Sequence, residues 1–210
     1  EKFVGVGTAA SYPLMAQSPM KEDDIWNGFP EDIHASIGIS KRMMAFQSQA
    51  YRDQFGFNSI NLLPVNLYGP NYSMDEKSKR VIPIFIEKFA KAKKDGEEEL
   101  ILGGTPDSTR EFLYVDDCSQ GILRATEEYD KSSPVNIASG HTVRIGDLAE
   151  KIKDVVGFEG RLTWGDTMPD TDEDRFLDPS KAEREFGFRA TTTLEEGLRK
   201  TYDWFLKNRT

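Results

Sequence analysis

The sequence predicts an α/β protein built around a parallel sheet, and three observations carry that expectation. Two apolar runs, at 2–7 and 58–67, lack the alternation of half-exposed strands and read as buried parallel ones. Segments whose apolar residues recur at helical spacing follow them. Those segments end on Gly56, Gly157 and Gly187, where a left-handed cap carries no Cβ penalty.

Taken in order, Phe3 to Gly7 is a strand, and Thr8 to Pro13 lead out of it. Residues 14–32 hold turn formers without a clean period and are predicted as a loop, of a length that is often functional. Trp26 within it reads as an anchor against the body of the protein, a substrate contact being the lesser alternative. From Ser36 to Phe55 the pattern is helical. Ile39, Met43, Phe46 and Ala50 form one stripe, and Ile37, Lys41, Met44, Ser48 and Tyr51 form a second beside it. Two usable faces imply a helix that packs on the sheet and also meets something else, so the Met-rich stripe reads either as core or as a dimer face.

The strand at 58–67 ends on Tyr68-Gly69-Pro70. This places Asn66 and Leu67 at its carboxyl end, where open α/β sheets bind ligands. A helix is predicted over 79–94, with Pro83 tolerated in its first turn and Val81, Ile82, Phe85 and Phe89 on one side. Glu99 to Leu102 is a short strand, and Arg110 to Asp117 a strand whose end caps a helix running to about Tyr129. Beyond it come a strand Val135–Ile137, a helix with Ile145, Leu148, Ala149, Ile152 and Val156 inward, and a strand Arg161–Trp164. Asp178-Pro179-Ser180 reads as an N-cap followed by proline at the first helical position, with Gly187 as the stop. Thr193-x-x-Glu196 is a capping box opening the last helix, with Leu194, Leu198, Thr201 and Phe205 inward.

The 210 residues suit one large domain or a domain with a lobe. A net charge of -9 repels a phosphate backbone at long range, so nucleic acid is not an expected partner. A phosphorylated small molecule remains compatible, because a few local arginines suffice for it. Cys118 is the single cysteine, which excludes an internal disulfide and fits a reducing, cytoplasmic setting. With His34 and His141 as the only histidines, no zinc or other metal site is expected. No apolar run approaches the roughly 20 residues of a membrane span, and no secretory signal is expected.

A set of motifs, in order, resembles the nucleotide-sugar epimerase/dehydratase branch of the extended short-chain dehydrogenases, most of all its GDP-keto-sugar epimerase/reductases, the GDP-L-fucose synthases. They are Ser11-Tyr12-Pro13, Pro19 to Asp24, Trp26-Asn27-Gly28, Pro64 to Pro70, Val81-Ile82-Pro83, Arg110 to Asp117, Asn136 to Gly140 and Leu177-Asp178. The resemblance implies the C-terminal part of a doubly wound Rossmann-type parallel sheet plus a smaller α/β substrate lobe. Residues 1–70 would be the second part of the dinucleotide-binding domain, with segments returning around 110–140, and 71–210 mainly the nucleotide-sugar lobe. The chain begins at Glu1 on a strand, and the glycine-rich turn that cradles a dinucleotide pyrophosphate is expected before it. On this reading the chain is a fragment that cannot form an intact dinucleotide site alone.

The resemblance also implies site residues. In the family a nicotinamide exchanges hydride with a sugar carbon while a tyrosine moves the proton. Thr8 matches the residue that polarises the substrate carbonyl, and Lys41 the lysine that steadies the phenolate and holds the cofactor ribose. Where the tyrosine should stand, four residues before Lys41, the chain has Ile37, which can neither donate nor accept a proton. The epimerisation cysteine is replaced by Ala10, the relay histidine by Arg80, and the tryptophan that would lie on the base by Gly103. Pro64, Val65, Asn66 and Leu67 match the nicotinamide side, together with Arg80 by position. Lys88, Arg110, Asp170 and Arg175 match the nucleotide-sugar side. For Lys41 a structural lysine, and for Arg110 a solvated charge, stand as alternatives. His34 is a conceivable replacement acid/base, read more simply as a pre-helix surface residue. The expected cofactor is NADP, with NAD as alternative, and the expected substrate a GDP-sugar. The expected assembly is a homodimer through helices 36–55 and 79–94. The resemblance implies an NAD(P)-dependent epimerase/reductase acting on a nucleotide sugar, of which this chain is a fragment expected to show no turnover as it stands. A non-catalytic nucleotide-sugar-binding or regulatory module, or a purely structural product, is the alternative.

Overall fold

The computed structural model describes residues 1–73, 80–165 and 175–208. In chain order the elements are β1 (Phe3–Val6), α1 (Ala35–Phe55), β2 (Ser59–Pro64), β3 (Asn66–Tyr68), α2 (Val81–Asp95), β4 (Glu99–Leu102) and β5 (Thr109–Tyr114). They continue with α3 (Val115–Glu128), β6 (Val135–Ile137), β7 (Thr142–Arg144), α4 (Ile145–Val156), β8 (Arg161–Trp164), α5 (Ser180–Phe186) and α6 (Leu194–Asn208). The α/β class predicted from the sequence is the one that forms.

The chain divides into two compact units. The first comprises Glu1–Leu67, Glu111–His141 and Arg175–Thr191, and the second Tyr68–Arg110, Thr142–Asp174 and Thr192–Thr210. The stretch 175–191, which the sequence reading leaves in the lobe, thus belongs with the first unit.

In the first unit β1, β2 and β6 form a parallel sheet in that order, with Phe3 opposite Ser59 and Leu62 opposite Val135. Every residue of β2 is buried, as a central parallel strand requires. Ile60, Leu62, Val135 and Ile137 meet Cys118 and Ala125 of α3 and Ala182 and Phe186 of α5 in one core. Glycines permit the close approaches: a Cβ on Gly5 would overlap the Asn61 amide oxygen, and one on Gly7 would lie 2.6 Å from Leu63 Cδ2. In the second unit α2 buries Ile82, Phe85, Ile86 and Phe89, while α4 buries Leu148, Ala149 and Ile152. There β4 pairs in parallel with β8. Lys93 Nζ donates to Val156 O at 2.7 Å.

Several boundaries differ from the sequence reading. The expected strand 58–67 is divided at Val65 into β2 and β3, although the Val65 N–H keeps the β2–β6 register by donating to Ile137 O at 3.1 Å. Asp116 and Asp117 are not strand but lie in the first turn of α3, where the N-terminal helix dipole favours acidic side chains. The predicted loop 14–32 contains two 3-10 turns, Glu22–Trp26 and Asp32–His34. Trp26 is not a buried anchor. It is 45% exposed and rests edge-on against Phe46, itself 60% exposed, at 6.4 Å between ring centroids. The short strand β7 carries no apolar signal and was invisible to periodicity. Pro179 stands at the N-cap of α5 rather than one residue inside it. The capping box forms as read: Thr193 N donates to Glu196 Oε2 at 3.1 Å, and Glu196 N to Thr193 Oγ1 at 3.3 Å. The left-handed glycines Gly56, Gly157 and Gly187 close their helices.

Candidate functional site

Parallel strands bring their carboxyl ends together, and in the first unit those of β1, β2 and β6 carry the candidate residues. After β1 the chain turns through a 3-10 turn, Ala9–Ser11, capped by Thr8, whose Oγ1 accepts the Ala10 N–H at 3.2 Å. With an acceptor role filled, the Thr8 hydroxyl retains its proton to donate.

Lys41 reaches the same strand end from α1, its Nζ donating to Val6 O at 2.8 Å. An ammonium has three donors, so this contact leaves two. The helix comes close to the turn at Gly38. A Cβ there would lie 2.5 Å from Ala10 O and 3.0 Å from Pro30 Cγ, and Ser11 Oγ donates to Gly38 O at 3.4 Å. Arg42, next to Lys41, fastens the arrangement through Nε to Ser11 O and Nη1 to Gly28 O, both at 2.6 Å. Burial lowers the pKa of its guanidinium. No sequence period marks Arg42; only its place beside the lysine could have drawn notice.

Ile37 lies one helical turn before Lys41, on the same side of α1, and is 49% exposed. Two nearby groups, Tyr12 and His34, carry a proton that could serve in its stead, and both are otherwise engaged. Tyr12 is buried, its hydroxyl donating to Asn136 Oδ1 at 2.6 Å, and burial beside Glu22 drives its pKa upward, away from proton exchange at neutral pH. His34 precedes α1 with Glu31 Oε2 3.9 Å from its Nε2. Ala10 is a methyl in the turn itself.

At the end of β2, Val65 is buried, while Asn66 and Leu67 are exposed, and Asn66 Nδ2 donates to Glu111 O at 3.0 Å. At the end of β6 a second feature missed by sequence reasoning appears. The buried Glu111 carboxylate accepts Ser139 Oγ–H at 3.0 Å, Gly140 N–H at 2.6 Å and Leu177 N–H at 2.9 Å. Burial raises its pKa, and those three donors counter the shift. Asn136 likewise ties three segments, donating through Nδ2 to Met20 O and Asp178 O and through its N–H to Glu22 Oε1.

The remaining candidates are placed differently. Arg175, expected on the nucleotide sugar, donates to Leu14 O at 2.7 Å and Pro13 O at 3.0 Å and so holds the loop after Tyr12. Arg80, Lys88 and Arg110 belong to the second unit. Arg80 precedes α2 and Lys88 lies on its exposed side, while Arg110 Nη1 donates to Thr109 O at 2.7 Å. Gly103 has open space where a Cβ would go. Asp170 lies outside the described residues.

A nicotinamide dinucleotide can be tested against these donors. The ammonium of Lys41 and the hydroxyl of Thr8 suit a ribose and a carbonyl oxygen. Gly5 and Gly7 are not a phosphate cradle, since both are used in packing against β2. The fit is therefore to the nicotinamide-ribose end, with no pyrophosphate cradle among the described residues.

The family model described as "NAD dependent epimerase/dehydratase family" matches residues 1–140. GDP-L-fucose synthase 1 of Arabidopsis thaliana is 38% identical over 208 residues, covering 99% of this chain and 64% of the relative. The GDP-L-fucose synthase of Sinorhizobium fredii is 34% identical, over 99% of this chain and 66% of its own length. The chain thus spans just under two thirds of these relatives. Among solved structures, the GDP-mannoheptose C4 reductase from Campylobacter jejuni with NADP bound superimposes with a TM-score of 0.85 at 28% identity, over 98% of this chain and 70% of that one.

Proposed function

Because the chain belongs to the NAD dependent epimerase/dehydratase family, we propose that it binds the nicotinamide end of NADP and a GDP-sugar but lacks the proton transfer that turnover requires. The observation that carries this reading is Ile37, a hydrocarbon one helical turn from Lys41, with Tyr12 committed to Asn136 and the Thr8 hydroxyl hydrogen-bonded to the Ala10 N–H and to no tyrosine or histidine among the described residues. The GDP-sugar and NADP come from the relatives, which are GDP-L-fucose synthases and a GDP-sugar reductase with NADP bound.

When bound, the nicotinamide would supply a hydride. Lys41 would hold the ribose with the donors left over from Val6, and Thr8 would donate to the sugar carbonyl oxygen. Pro64 to Leu67 would flank the nicotinamide, and Lys88, Arg110 and Asp170 would meet the nucleotide sugar, Arg175 being engaged on the carbonyls of Pro13 and Leu14. Ala10 and Arg80 offer no proton relay, so epimerisation would be absent as well. Loss of a positioned acid/base lowers rates by roughly 100- to 10,000-fold.

The exposed stripe Ile39, Met43 and Phe46 of α1 supports a homodimer. α2 buries its apolar side within its own unit, so the seam would rest on α1. The single buried Cys118 suits a reducing, cytoplasmic setting.

The test is calorimetry with GDP-mannose and with UDP- and dTDP-sugars, alongside an NADPH-oxidation assay on GDP-4-keto-6-deoxymannose. Heat with the GDP-sugar is expected, with no turnover, and in a full-length protein that includes a pyrophosphate-binding turn Ile37→Tyr is expected to begin NADPH oxidation by restoring the phenol. Turnover by the Ile37 protein that the tyrosine variant does not exceed overturns the proposal, and so does the absence of heat with every sugar nucleotide.

A further inference from the structure

We propose that the loop between Tyr12 and Pro30 is itself a binding site, for a neutral carbohydrate ring, separate from the strand-end site.

The loop is closed at its neck and pinned on its far side. Pro13 bridges Pro30, Leu14 N donates to Phe29 O at 3.1 Å, and Arg42 holds Ser11 O and Gly28 O together. Opposite, Met20 N donates to Phe176 O and Asp178 N to Met20 O, both at 2.9 Å. Arg175 grips the carbonyls of Pro13 and Leu14. A compact loop with its ends this close ordinarily packs its interior with its own side chains. This one buries its own Met20 and Ile25 in that way, and beside them leaves an open cleft of about 500 Å³ with Met15 86% exposed. That volume is in the range of small-ligand pockets, and the pinned backbone means that binding would not have to order it.

The lining chooses the ligand class. Among the described residues the Gln17 amide and the Lys21 ammonium have no hydrogen-bond partner. Ser18 Oγ accepts from Phe176 N at 3.0 Å and so keeps its hydroxyl proton to donate. Asp24 accepts from Lys21 N at 2.8 Å and from Asn27 Nδ2 at 3.4 Å, and a carboxylate has capacity for more. Donors and acceptors therefore stand side by side. Lys21 and Asp24 cancel in charge, which gives an anion no advantage, and the chain's -9 works against one. Pro13, Met15 and Pro19 add an apolar surface to the same cleft. A pyranose matches both characters, with hydroxyls around its rim and C–H groups on its faces.

The experiment is a ¹⁵N NMR titration of the whole chain with methyl α-mannopyranoside and methyl α-fucopyranoside, with inorganic phosphate and glycine as charged probes. Expected are saturable shifts confined to amides of the loop, with affinity weakened about tenfold by Gln17→Ala and by Asn27→Ala. Both side chains are exposed, so the variants retain the fold. Saturation by phosphate or glycine in place of the glycosides overturns the proposal. Unaltered binding by both variants does so too, as does the absence of saturable shifts with either glycoside up to ~50 mM. Because none of these probes is a nucleotide, the outcome does not depend on that of the GDP-sugar calorimetry.

Discussion

Replacing Gly38 by alanine tests whether α1 and the turn after β1 are in the close contact that aligns Lys41 with Thr8. In an exposed helix interior the change would stabilise by about 1 kcal/mol, because glycine gives up more backbone freedom on folding. Here the new methyl would sit 2.5 Å from Ala10 O and 3.0 and 3.1 Å from Pro30 Cγ and Cβ. Neither neighbour is a flexible tip: one is backbone, the other a proline ring held in the bridge to Pro13. Relief requires the helix and turn to separate by roughly 1 Å, and overpacking of that kind costs about 1–3 kcal/mol. The net expectation is a loss of up to about 2 kcal/mol, or a fall in Tm of up to roughly 8 °C for a chain of this size. Scanning calorimetry measures the sign directly. Gly56→Ala is the control. It is strained by its left-handed φ of 66° but has nothing within 4 Å of the added Cβ, so it should lower Tm without disturbing the turn. Hydrogen exchange at the Ala10 amide, now held by Thr8 Oγ1, should quicken in the Gly38 variant alone. A raised Tm for Gly38→Ala, as helix propensity by itself demands, would refute the close contact.

Tyr12→Phe should cost about 1–2 kcal/mol in urea denaturation by leaving Asn136 Oδ1 without its buried donor; an unchanged midpoint would remove Tyr12 from that network. Burial raises the pKa of Glu22, so the folded state binds its proton more tightly than the unfolded chain does. Its contribution to stability is therefore fully present below the ordinary glutamate range and is lost as pH rises through the folded-state value. Glu22→Gln can keep an oxygen for the Asn136 N–H and should flatten that part of the stability-pH profile, gaining on the parent as pH rises; parallel profiles would contradict this. Phe46→Asp on the exposed stripe of α1 should shift sedimentation from dimer to monomer with little change in Tm, and a species of unaltered size would count against a seam on α1.

The fold was legible wherever burial on both faces or a cap left a local mark. β2 announced itself as an apolar run buried on both faces, the capping box at Thr193 was readable residue by residue, and glycines marked the ends of α1, α4 and α5. β1, expected to be buried in the same way, is instead the outer strand in the order β1-β2-β6, with Phe3 41% and Val6 38% exposed. What escaped depends on distant partners. Glu111 reads as an ordinary charge within a strand, yet it is buried because Ser139, Gly140 and Leu177 converge on it from elsewhere in the chain. Nothing around Arg175 indicates that its guanidinium will close on Pro13 and Leu14. Trp26 was misjudged because residue type suggests burial, whereas its neighbour Phe46 is itself exposed.

The departures at the site have a physical pattern. Phe3 N–H bonds Asn58 O and Gly7 N–H bonds Leu62 O, so the odd residues of β1 face β2 and the Val6 carbonyl points to the opposite edge. Lys41 supplies the donor for that carbonyl. Lys41 thus has work in the fold whether or not a ribose ever binds, and the same holds for Thr8 as the cap of its turn and for Arg175 as the tie on its loop. Position 37 has no such duty. It is half-exposed, follows no cap and precedes the close approach at Gly38, so a phenol there would answer only to chemistry. A chain relieved of turnover would lose that residue first and keep the others for stability. The presence of Lys41 and Thr8 is therefore weak support for catalysis, and the isoleucine between them is the more informative residue.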